Sequence, residues 1–100
     1  MNEEDERILK HAIQHYGKDR QIDKAVEELS ELTKALLKYR YASEGYEMNI
    51  MRDSVAEEIA DVGIMLRQLR MIFGFDTIIL SYEGKKIERL NRRMRKEEET

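Results

Sequence analysis

Five acids form the most chemically suggestive pattern in the chain. They lie in Glu27-Glu28-Leu29-Ser30-Glu31 and Glu58-Ile59-Ala60-Asp61. On a helix, the i, i+3 spacing stacks Glu28 over Glu31 and Glu58 over Asp61. Glu58 projects into an apolar arc with Val55, Val62 and Met65, while Asp61 lies at its margin between Met65 and Gln68. A carboxylate removed from water either neutralises or finds a cation. The 26 residues from Leu32 to Glu57 suffice to end one helix, turn and bring the next back alongside. Packed antiparallel, the two helices would converge four acids, which stay ionised together only around a positive charge. Oxygen donors without cysteine or a required histidine favour Mg²⁺ or Mn²⁺, and Mg²⁺ commonly shares its coordination with substrate phosphates. The expected chemistry is cleavage of a phosphate ester or anhydride. A di-iron site is disfavoured, because Glu31 and Asp61 stand where its Glu-x-x-His motifs would need histidine.

Four helices are expected to position these acids. The first runs from Asn2 or Glu3 to about Tyr16, with Ile8, Leu9, Ala12, Ile13 and Tyr16 inward and Gly17 as its end. His11 and His15 share one side of it at i, i+4, but no third metal ligand is evident nearby, and they read as surface residues. The second helix, about Asp19 to Tyr41, has an apolar stripe of Ile22, Ala25, Val26, Leu29, Leu32, Leu36 and Leu37. Glu28 is the acid closest to that stripe, and Glu27 is turned about 100° from it towards the outer face. Ser43 to Arg52 reads as a connection, with Asp53 or Ser54 as the next N-cap and Glu57 completing a capping box with Ser54.

The third helix, Val55 to Phe73, directs Val55, Ile59, Val62, Leu66, Leu69 and Phe73 at the core. A second strip of Ala56, Ala60, Ile64 and Met71 faces away, and Gly63 permits close approach by another backbone. A helix apolar on both sides calls for a second subunit. After Gly74, the last helix runs from about Thr77 to Arg95 with Leu80, Ile87, Leu90 and Met94 as its seam, Gly84 marking a kink or crowded contact, and residues 96–100 a frayed tail. Lys86, Arg89 and Arg93 line one side of it. Such cations either complement the helix macrodipole or grip phosphate.

Composition agrees with this plan. Residues 1–100 make one modest domain, rich in interleaved charge (39%), with five glycines and no proline. The expected fold is an all-α antiparallel bundle of about four helices, completed by a homodimer or homotetramer. A net charge of -3 argues against a nucleic-acid-coating role. No cysteine is present to form a disulfide. The charged start and the absence of any run near the ~18 apolar residues of a membrane span point to a cytoplasmic protein without a membrane partner.

The two acidic segments resemble the EExxE and ExxD signature of the MazG-like all-α nucleoside triphosphate pyrophosphohydrolases. The upstream HYG, the KAVEELSEL run, the VAEEIADV helix and the closing KIERLNRR extend the likeness over nearly the whole chain. The resemblance implies cleavage of the α–β phosphate bond of a (deoxy)nucleoside triphosphate to a monophosphate and pyrophosphate. It implies Mg²⁺ held by Glu28, Glu31, Glu58 and Asp61, with Glu27 as an auxiliary catalytic acid. It also suggests substrate contacts from Gln21 and Lys24, and from Lys86, Arg89, Asn91 and Arg93, which match the family's basic pattern loosely. Two alternatives stay open: a non-catalytic MazG-like module that binds nucleotide or metal and regulates a partner, and a structural helical protein whose acids merely face solvent.

Overall fold

The computed structural model describes residues 2–99, and every regular element among them is helical: α1 (Glu3–Tyr16), α2 (Lys18–Arg40), α3 (Tyr46–Phe73) and α4 (Asp76–Glu98). The opening of α1 follows from its sequence. Asn2 Oδ1 accepts from the Asp5 N–H at 2.7 Å and the first turn carries Glu3, Glu4, Asp5 and Glu6, so both a cap and a favourable dipole interaction fix the start. One residue separates α1 from α2. Gly17 manages this with φ +94°, donating its N–H to Ile13 O at 2.8 Å as it leaves the first helix.

The expected connection from Ser43 to Arg52 is overturned in its second half. Gly45, at φ +94°, breaks the chain, and α3 begins at Tyr46, so Asp53 and Ser54 lie inside a helix and form no N-cap or capping box. Met48, Met51 and Val55 repeat at i, i+3, i+7 and extend the inner face of α3 back by two turns. At the other end α4 also outruns its expected limit, remaining helical through Glu98.

Helices α2 and α3 are antiparallel, and their shared seam differs in kind from the expected one. Ala25 and Ala35 of α2 and Val62 and Met65 of α3 are buried along it, Ala35 beside Met51, Ser54 and Glu58, with Gln21 and Gln68 buried at one end. Ile59, Leu66 and Phe73, expected to face inward, are about half exposed, as are Val26, Leu29, Leu36 and Leu37. The α3 arc that enters the interior is therefore centred on Glu58, Val62, Met65 and Gln68, rotated towards the acids. Small residues on α2 let the helices approach while the larger aliphatic side chains fall outside the seam.

Helix α1 packs on α2 and α3, and Ile64 lines a cleft with Ile8 and Leu9. Ile64 still stays 41% exposed, and Ala56 and Ala60 are exposed, so most of the second α3 strip is left uncovered within one chain. Helix α4 stands apart, tied near its start by Arg70 to Glu83 at 3.6 Å and by Phe73 stacked on Phe75. Its seam residues Leu80, Ile87, Leu90 and Met94 are exposed. A Cβ added at Gly63 or Gly84 would meet nothing within 4 Å, so neither glycine marks a crowded contact within the chain. The radius of gyration, 17.4 Å, exceeds the ~13 Å of a compact 100-residue domain.

Candidate metal centre

Midway along the α2–α3 seam, three of the four expected acids converge. Glu28, Glu58 and Asp61 each offer a carboxylate oxygen, and the three oxygens lie within 4.8 Å of one another. The antiparallel register explains the meeting. Gln21 faces Gln68, and seven residues along each helix Glu28 meets Asp61, with Glu58 one turn further back on α3.

Glu31 does not join the three. Its side chain is 47% exposed and pairs with Lys34 at 3.6 Å, whereas Glu28 is only 13% exposed. Glu31 remains adjacent, lining a cleft of about 170 Å³ with Glu58, Ser54 and Ala35. Glu27 is exposed, 3.8 Å from Lys24.

Glu58 is the electrostatic focus. Its Oε2 is buried and has no hydrogen-bond partner among the described residues. Loss of water raises its carboxyl pKa above the usual range, and repulsion from Asp61, Glu28, Glu31 and Glu57 adds to the effect. Lys24 Nζ lies 3.1 Å from Glu28 Oε1, and this contact, reinforced by the charges of Glu27 and Glu28, raises the ammonium pKa. Lys24 is therefore the cation nearest the acids, but it sits on their edge and is about half exposed. An orphaned buried carboxylate oxygen among converging acids fits a divalent cation with oxygen ligands.

The expected substrate contacts separate into two groups. Gln21 and Lys24 line a cavity of about 570 Å³ beside the acids, together with Tyr16, Arg20, Met65 and Gln68. Gln68 was not among the expected site residues. Its only sequence signal is its place seven residues beyond Asp61, mirroring Gln21 before Glu28. Lys86 and Arg89 line a different cleft, on α4 with Tyr82 and Arg92, and Asn91 and Arg93 are exposed on that same helix. Helix α4 has no substantial packing against α2, so one chain does not bring this basic stripe to the acids. His11 and His15 contact each other edge-on at 6.0 Å between ring centres, and neither belongs to a metal-ligand cluster among the described residues.

Comparison with known proteins finds no matching family model, no matching curated protein and no matching solved structure.

Proposed function

We propose that this chain is a Mg²⁺-dependent nucleotide pyrophosphohydrolase of the MazG-like type, acting in the cytoplasm to cleave the α–β bond of a (deoxy)nucleoside triphosphate. The observation that carries the reading is the meeting of Glu28, Glu58 and Asp61 around a buried, unpartnered Glu58 oxygen. A purely structural seam would place apolar side chains there, because uncompensated carboxylates oppose packing. Glu28, Glu58 and Asp61 would hold the ion, and Glu31, which lines the same cleft as Glu58, would join them on leaving Lys34. Mg²⁺ or Mn²⁺ bound there supplies polarisation of phosphoryl oxygens and a lowered pKa for an attacking water.

The protein's own groups do the rest. Lys24 presents a positive charge on the edge of the acids, where it can exchange Glu28 for a phosphate oxygen. Glu27, on the solvent side of Lys24, serves as the auxiliary acid. The exposed apolar residues of α2 and α4 favour a homodimer or homotetramer. In that assembly a second chain would bring Lys86, Arg89, Asn91 and Arg93 to the phosphates that its partner's acids hold.

The direct test incubates the protein with Mg²⁺ and a panel of nucleoside triphosphates and scores pyrophosphate against orthophosphate. Monophosphate and pyrophosphate in equal amounts are expected. Orthophosphate release, or tight nucleotide binding with no turnover, overturns the reading, the latter in favour of a regulatory module.

A further inference from the structure

We propose that the face of α4 opposite its apolar seam binds single-stranded nucleic acid, with Lys85, Arg92 and Lys96 on backbone phosphates and Tyr82 stacked on a base. The inference is independent of the nucleotide reading, because none of these four residues belongs to the acidic centre or to the substrate contacts assigned to it.

The whole-chain charge of -3 conceals a local excess: residues 85–96 carry seven of the 18 cations and one of the 21 acids. Elsewhere the chain sets acids one turn from its cations, as in Glu4–Arg7, Glu6–Lys10 and Lys24–Glu28. On α4 that pattern lapses. Lys85, Arg89, Arg92 and Lys96 follow one another at i, i+4, i+7 and i+11, a like-charge spacing that costs helix stability. Of the four cations that share a cleft with Tyr82, Arg92 alone has an ion pair among the described residues, to Glu88 at 2.7 Å. Complementing the macrodipole does not account for the run. That effect fades within the last turn, and Lys85 stands about three and a half turns before the helix end at Glu98.

Direction decides the partner. At about 100° per residue, Lys85, Arg89, Arg92 and Lys96 fall on one arc, opposite Ile87, Leu90 and Met94, while Lys86 and Arg93 lie closer to that seam. A second chain covering the seam therefore leaves the arc in solvent, and α4 has no substantial packing against α1 or α2 to obstruct it. The arc is about 16 Å long, enough for several phosphates at the 3.4 Å rise of one strand. Exposed Tyr82 lines the same cleft of about 400 Å³ as Lys85 and Arg92, and its ring offers a face on which an unpaired base can stack. An anionic membrane would instead take up the apolar seam and turn the opposite arc towards water.

The test titrates the protein into fluorescein-labelled oligothymidylate and follows anisotropy in chelator, which keeps divalent cations out of the acidic centre. Wild type should bind, with an affinity that falls as salt rises. Lys85→Gln combined with Lys96→Gln should weaken binding about tenfold or more at 0.1 M salt and make the dependence of log K on log salt shallower by about 1.4, since two phosphate contacts are lost. Tyr82→Leu should weaken binding about fivefold or more and leave the salt slope alone. All three positions are exposed, so the variants should keep the helical circular dichroism of wild type. No binding at low salt, or an affinity and salt slope unchanged in the double variant, would overturn the proposal. So would displacement of the oligonucleotide by phosphatidylserine vesicles, in favour of a membrane surface, or tighter binding of the matching duplex, in favour of groove recognition.

Discussion

Lys24 and Glu28, one turn apart on α2, hold each other at 3.1 Å on the edge of the acidic centre. The lysine therefore competes with any cation for Glu28, yet it is also the nearest positive charge for a phosphate. Lys24→Met should consequently act in opposite directions. Mg²⁺ affinity should rise about threefold, a size suited to a half-exposed ion pair, while KM for the nucleotide should rise by a similar factor or more. Calorimetric Mg²⁺ titration and steady-state kinetics check the two arms. A parallel loss of both would assign Lys24 to the fold instead.

Glu58 and Asp61 carry the catalytic prediction. Glu58→Gln or Asp61→Asn keeps side-chain volume but removes the charge from a converging oxygen. Hydrolysis should fall at least about 10²-fold, since loss of metal-centred charge stabilisation is worth several kcal/mol. The far-ultraviolet circular dichroism should stay helical. Normal turnover in either variant would sink the metal assignment.

Much of this centre is legible in the sequence, because a helix converts spacing directly into direction. Glu58 and Asp61 could be placed beside Val62 and Met65 from periodicity alone, and the acid run before Ile8 together with Gly17 bounded α1 correctly. The outward turn of Ile59, Leu66 and Phe73 was less visible, since hydropathy marks an apolar side chain without saying which chain covers it. Met48 and Met51 were obscured by the polar residues around them, so two turns of α3 read as a loop. Gln68 escaped notice because an amide looks like surface until Gln21 is set opposite it.

The raised carboxyl pKa of Glu58 gives a stability signature. Loss of water first, then repulsion by Asp61, Glu28, Glu31 and Glu57, makes the folded protein hold this proton more tightly than the unfolded chain does. Stability from that proton is complete below the ordinary value of 4.5 and is lost as pH rises through the raised folded value. In chelator, the Tm contribution from Glu58 should therefore decline across that window. Glu58→Gln, neutral throughout, should flatten this component. Mg²⁺ above the window should raise the wild-type Tm by binding the folded state, with little effect on the variant. An equal Mg²⁺ response in both proteins would count against the site.

Lys86 and Arg89 test whether a second chain completes the active site. They lie on α4, away from the acids of their own chain. If they grip phosphates that the substrate already carries, Lys86→Ala and Arg89→Ala should raise KM more than they lower kcat. Mixing either variant with Glu58→Gln should then restore activity, since a heterodimer can assemble one intact site. No recovery on mixing, with subunit exchange verified by mass, would remove α4 from catalysis.

The assembly itself is testable through α4. No large side chain among the described residues is fully buried, while Leu80, Ile87, Leu90 and Met94 range from 43% to 66% exposed along one helix. Apolar surface on that scale is unfavourable in water and is relieved when another helix covers it. Sedimentation should give two or four times the 11.9 kDa chain mass, and Tm should rise with protein concentration, because association stabilises only the folded chain. Ile87→Glu and Leu90→Glu place charges in the seam and should shift the protein to monomer with a lower, concentration-independent Tm. They should also reduce nucleotide turnover if the basic stripe works across the interface, while leaving Mg²⁺ binding at Glu28, Glu58 and Asp61 largely intact. A wild-type monomer at micromolar concentration with a high Tm would show that α2 and α3 support the fold alone, and the exposed α4 seam would then need a different partner.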